Sequence, residues 1–124
     1  MRALIVDDSR VLRIHLGEML RLMGWKTEEA KNGRLALERL RVDRGFQLVL
    51  MDVNMPEMNG IECVCRVRSE LSELDLKLMM VSTEADSCLI EELLANGVDE
   101  YLMKPFTHEN LQAKLQLMSL PVRA

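Results

Sequence analysis

The feature that most constrains this chain is a set of short apolar runs, each ending in polar or charged residues. Ala3 to Val6 ends at Asp7-Asp8, Leu48 to Met51 at Asp52, Leu76 to Val81 at Ser82-Thr83, and Tyr101 to Met103 at Lys104-Pro105. Runs of this kind read as strands buried on both faces, the habit of parallel sheets covered by helices. Longer segments of helical period lie between them. Ser9 is placed to cap a helix carrying Leu12, Leu16, Leu20 and Met23, closed by Gly24. A polar strand is expected at Lys26 to Ala30, suited to a sheet edge, then a turn at Asn32-Gly33 and a helix bearing Leu37 and Leu40. The turn Met55 to Gly60 leads to a third helix with Ile61, Val64 and Arg68 along one side. A fourth helix is expected over Ala85 to Ala95, closing at Asn96-Gly97, and Thr107 caps a fifth that carries Leu111 and Leu115.

Strands alternating with helices in this way predict an α/β fold, a five-stranded parallel sheet covered on both faces by five helices. A length of 124 residues suits one domain, 1–124. Apolar residues at 48% and charged residues at 29% allow both a packed core and a solvated surface, which argues against disorder. Aromatic residues are only 3%, so the core must come from Leu, Val, Ile and ten Met.

A net charge of −4 argues against nucleic acid as a direct partner, since phosphate backbones reward clustered basic surface. Arg34, Arg39, Arg41 and Arg44, interleaved with Glu38 and Asp43, read as a solvated helix face. Three cysteines cannot all pair with one another, and Cys63 and Cys65 lie on different faces of a helix. A reduced, cytoplasmic protein is expected. The opening MRALIVDD is too short in its apolar part for a signal peptide or a membrane span, so no membrane association is expected. The glycines form no phosphate loop.

In open α/β sheets, ligands bind outside the carboxyl ends of the strands. If the strands are adjacent, Asp7, Asp8, Asp52, Ser82 and Lys104 converge there. Packed carboxylates repel and raise one another's pKa values. A hard divalent cation relieves that conflict, and magnesium favours a few carboxylates together with waters and a phosphate oxygen. A carboxylate beside such a metal can act as a nucleophile towards a phosphoryl group. An ammonium and a hydroxyl then stabilise the transferred oxygens. Asp52, Lys104 and Ser82 supply those roles.

The segments LIVDDS from Leu4, LVLMDVNMPEMNG from Leu48, MMVST from Met79 and YLMKPFT from Tyr101 span almost the whole chain. In them the sequence resembles the receiver domains of bacterial response regulators, most of all the single-domain chemotaxis type. The resemblance implies the flavodoxin-like strand order 2-1-3-4-5. It also implies Asp52 as phosphoacceptor, with Asp8 a direct ligand of Mg2+ (Mn2+ as an alternative), Asp7 a ligand acting mainly through water, and Asn54 a ligand through its backbone carbonyl. Ser82 and Thr83 fall in the phosphoryl-binding segment, Lys104 is the basic partner, Tyr101 the aromatic switch, and Lys104-Pro105 a cis bond. Asn54 and Glu84 match the polar pair that tunes dephosphorylation. Thr83 departs from the family's usual small Ala or Gly, and a β-branched side chain there crowds the phosphoryl entrance.

The implied partners are a sensor histidine kinase or phosphotransfer protein and a downstream target on the face of the fourth helix, fifth strand and fifth helix. The expected function is a phosphorylation-dependent switch rather than an enzyme. An aspartyl-nucleophile phosphohydrolase of the haloacid-dehalogenase type needs Asp-x-Asp after its first strand, where this chain has adjacent Asp7-Asp8. Only Ser119 to Ala124 follow the last helix, so a stand-alone receiver is expected. The alternative is a receiver cut from a longer regulator with a DNA-binding or enzymatic output domain. His15 and His108 are read as ordinary side chains rather than phosphorelay groups.

Overall fold

The computed structural model describes residues 1–55, 58–72, 75–83 and 87–122, with only the backbone at 87 and 88. The elements run β1 (Arg2–Val6), α1 (Arg10–Leu22), β2 (Lys26–Ala30), α2 (Gly33–Val42), β3 (Leu48–Asp52), α3 (Gly60–Glu70), β4 (Lys77–Ser82), α4 (Ser87–Ala95), β5 (Glu100–Met103) and α5 (His108–Leu117). The strands form one sheet in the order β2-β1-β3-β4-β5, and every neighbouring pair is parallel. The fold is therefore the doubly wound, flavodoxin-like α/β architecture that the sequence implies.

Alternation along the strands divides the apolar core in two. Leu4, Val6, Val49, Met51, Leu78 and Met80 face one side, where Leu37 and Leu40 of α2, Val64 and Val67 of α3 and Leu93 of α4 cover them. Ala3, Ile5, Leu48, Leu50, Met79, Val81 and Leu102 face the other, against Leu16 and Leu20 of α1 and Leu111 and Leu115 of α5. All of β3 is buried, while β2 at the edge is the polar strand of the sheet. Met19, Met23, Met51, Met55, Met58, Met79, Met80 and Met118 are buried, so methionine does fill the core of this aromatic-poor chain.

Side-chain caps set the helix starts. Ser9, Asn32, Asn59 and Thr107 each accept a backbone N–H three residues ahead, and Thr107 completes a capping box with Asn110. Asn32-Gly33 is thus a helix entry rather than a separate turn. On α3 the packed residues are Cys63, Val64 and Val67, with Ile61 at their margin. Arg68, expected beside them, lays its stem along the edge and donates to the carbonyls of Gly97 (2.9 Å) and Leu76 (2.8 Å) and to Asp99 (2.8 Å). Gly97 takes φ +105° after α4, and a Cβ there would stand 2.8 Å from Arg68 Cγ, so glycine is needed at that turn. Of the expected fourth helix, Ala85 and Asp86 lie outside the described residues.

Cys63 is buried and Cys65 exposed, in keeping with their different faces. Arg34, Arg39 and Arg41 pair with Glu38, Glu28 and Glu70, as a solvated face would. Among the described residues, no helix is long and apolar enough to cross a membrane.

Candidate functional site

Because all five strands run parallel, their carboxyl ends share one edge of the sheet. Asp7 is the first residue past β1, and its backbone N–H donates to Ala30 O at 3.1 Å. Asp7 is 2% exposed, and its Oδ1 accepts the Ser9 N–H at 2.8 Å at the entrance to α1. Asp8 beside it is exposed. Asp52, the last residue of β3, is 8% exposed, and its Oδ1 accepts the Asn54 N–H at 3.2 Å. Oxygen atoms of Asp7, Asp8 and Asp52 lie within 4.8 Å of one another.

Lys104 enters from the far side of the sheet. Its Nζ stands 3.7 Å from Asp52 Oδ2 and 3.9 Å from Asp7 Oδ2. Its own backbone N–H donates to Ser82 O at 2.6 Å, which ties β5 to the end of β4. The Lys104-Pro105 bond is cis, as the resemblance implies. Ser82 is fully buried, and its Oγ has no hydrogen-bond partner among the described residues. Thr83 and Asn54 are exposed at this edge. Glu84 lies outside the described residues. Tyr101 is half-buried on β5, and the Lys114 ammonium stands 4.2 Å from its ring centroid.

Burial pushes the Asp7 carboxyl up to about 6, and the Asp52 carboxylate adds to the rise against the Ser9 N–H and the Lys104 ammonium. Asp7 Oδ2 is buried without a hydrogen-bond partner among the described residues, since 3.9 Å from an ammonium is beyond bonding distance. One cation among three carboxylates leaves negative charge in excess. A small hard divalent ion with oxygen ligands fits that donor set, and it would satisfy the orphaned oxygen.

Two positioning residues escape the sequence reading. The Arg13 guanidinium donates to Asp7 O at 2.6 Å and to Glu29 Oε1 at 2.8 Å, fixing the β1–α1 turn from behind. The legible signal was a basic residue in the first turns of a helix, against the macrodipole preference. Gly60 opens α3 against the end of β3. A Cβ there would lie 3.0 Å from Val53 Cα, 3.1 Å from Asp52 O and 2.6 Å from Met80 Cε. His15 is exposed and stacks on Phe106, with ring centroids 5.9 Å apart, and His108 starts α5; neither joins the acidic cluster.

A sheet of this order, with clustered acids and a lysine at its carboxyl edge, has counterparts among known proteins. Residues 3–116 match the response regulator receiver domain. The chemotaxis protein CheY1 of Helicobacter pylori is 34% identical over 119 residues, which cover 95% of this chain and 96% of that protein. A CheY homolog of Campylobacter jejuni is 37% identical over 117 residues, 94% of this chain and 90% of the relative. The structure of the Vibrio cholerae chemotaxis protein CheY4 superposes with a TM-score of 0.83 at 35% identity, over 93% of this chain and 95% of that one. The chain belongs to the response regulator receiver family. It is a two-component signalling receiver, a switch by class.

Gly60→Ala should lower stability by about 1 kcal/mol despite alanine's better helix propensity, because the backbone at the end of β3 must shift to admit the methyl group. Urea denaturation measures this; a more stable variant would show that the strand and α3 do not meet as described.

Proposed function

We propose that Asp52 accepts a phosphoryl group from a sensor histidine kinase or phosphotransfer protein, and that residues 1–124 act as one receiver in a chemotaxis-like pathway in the cytoplasm. The observation that carries this reading is the meeting of Asp7, Asp8, Asp52 and Lys104 at one sheet edge. An Asp52 carboxylate oxygen attacks the phosphorus of the donor phosphohistidine. The new P–O bond forms as the P–N bond breaks, and the departing imidazole takes up a proton. Asp7, Asp8, Asp52 and the backbone carbonyl of Asn54 would hold Mg2+ (or Mn2+). When bound, the ion offsets charge on the transferred oxygens. The Lys104 ammonium balances the remaining charge, and the unpartnered Ser82 hydroxyl turns to donate to a phosphoryl oxygen.

Turnover is limited to the protein's own phosphoryl group, so the chain is a switch and not an enzyme with a separate substrate. Hydrolysis needs a water in line with the acyl phosphate. Asn54, exposed two residues after the acceptor, admits and orients it, with Glu84 as its proposed companion. Thr83, also exposed beside Ser82, narrows the approach. Once Ser82 has moved, Tyr101 turns inwards to fill the space, and the face of α4, β5 and α5 becomes the docking surface for a downstream protein. The reading includes no direct role for nucleic acid or membrane.

Asp52→Asn should abolish labelling by radioactive acetyl phosphate, because it alone of the acids ends a fully buried strand beside Lys104. Undiminished labelling of the variant would sink the assignment. Asp8→Ala should weaken Mg2+ binding, measured calorimetrically, on the order of ten-fold more than Asp7→Ala does. Equal losses would mean that the direct and water-mediated roles are misassigned.

A further inference from the structure

We propose that Lys114 is a positioning residue for Tyr101, holding the ring against α5 and so favouring the resting state of the switch. The inference rests on the reading of Tyr101 as the switching side chain. β5 is an edge strand, so among the described residues one side of its backbone has no neighbouring strand. The Tyr101 N–H donates to Glu100 Oε1 at 3.1 Å, and the Lys114 ammonium reaches the same oxygen at 3.0 Å. That ammonium also sits 4.2 Å from the centroid of the Tyr101 ring. The Lys114 and Glu100 side chains are only 23% and 19% exposed, which limits screening by solvent. Glu100 therefore anchors the cation, and the cation holds the ring.

The three parts come from two elements. Tyr101, Met103, Pro105, Asn110, Ala113 and Lys114 line a groove of about 260 Å³ between β5 and α5. A ring that leaves this groove to follow Ser82 must give up the face-on ammonium. No such loss attends its staying. The contact is thus a differential interaction between two positions of one side chain, which is what a population bias requires. A single partly exposed cation–π contact biases such a ratio by about two- to five-fold. Lys114 touches neither the acids nor Lys104 among the described contacts, so its effect reaches the site only through Tyr101.

Tyr101 is the only tyrosine of the chain, so 3-fluorotyrosine labelling of the full protein gives a single 19F resonance. It would be recorded with Mg2+ alone and with Mg2+ and beryllofluoride, a phosphoryl mimic. Beryllofluoride affinity would be measured in parallel. The native resonance should move on activation. Lys114→Met keeps the apolar stem and removes the charge; its resting resonance should move part-way to the activated position. The variant should also bind beryllofluoride about two- to five-fold more tightly, by linkage. Lys114→Arg, which restores a cation over the ring, should return both to native values. A native resonance that moves normally, with the Met variant binding beryllofluoride no more tightly, would overturn the clamp and leave the switch reading intact. A native resonance unmoved by beryllofluoride would overturn the switch reading, and the clamp with it.

Discussion

The structure depends on an electrostatic conflict held in place by apolar packing. Asp7 and Asp52 are both nearly buried, at the ends of adjacent strands, and a single ammonium stands 3.9 and 3.7 Å from their Oδ2 atoms. Left to themselves, two carboxylates and a lysine would separate into water. They cannot, because β1, β3 and β4 are packed on both faces, and sliding a strand by one residue would move its apolar side chains to the wrong face. The core thus supplies the work needed to keep like charges together. A site with surplus negative charge and an orphaned carboxylate oxygen favours a divalent cation.

The supporting contacts sit on the backbone immediately behind these acids. Arg13 holds the Asp7 carbonyl, the Ser9 N–H holds its carboxylate, and Gly60 lets α3 press on the end of β3. The opposite end of the sheet is tied differently. Arg2 pairs with Glu28 and Asp43 and lies 4.2 Å from the Phe46 ring centroid, while Trp25 donates to Pro121 O at 3.0 Å. Trp25 is buried at that end. One end of the sheet is closed by ion pairs and the other is left under charge tension.

Much of this was legible in the sequence, for physical reasons. Apolar runs such as Leu48 to Met51 announce strands buried on both faces, and Ser9, Asn59 and Thr107 announce helix starts by their capping chemistry. The acids were legible because few folds place Asp7, Asp8 and Asp52 directly behind such runs. Strand order came from the family resemblance, since periodicity does not say which strands are neighbours. Contacts between side chains distant in sequence were not legible. Arg68 reads as one residue along the side of the third helix that carries Ile61 and Val64, yet it brackets two carbonyls and Asp99. Lys114 over Tyr101 depends on how α5 is set against β5, and local pattern does not encode that angle.

We propose that this edge of the sheet forms an acyl phosphate on one particular carboxylate. Borohydride reduces an aspartyl phosphate to homoserine, and peptide mass mapping then locates it. After incubation with acetyl phosphate and Mg2+, homoserine should appear at position 52 alone and vanish when the metal is chelated. Homoserine at position 7 or 8, or at position 52 regardless of chelation, would overturn Asp52 as the metal-dependent acceptor.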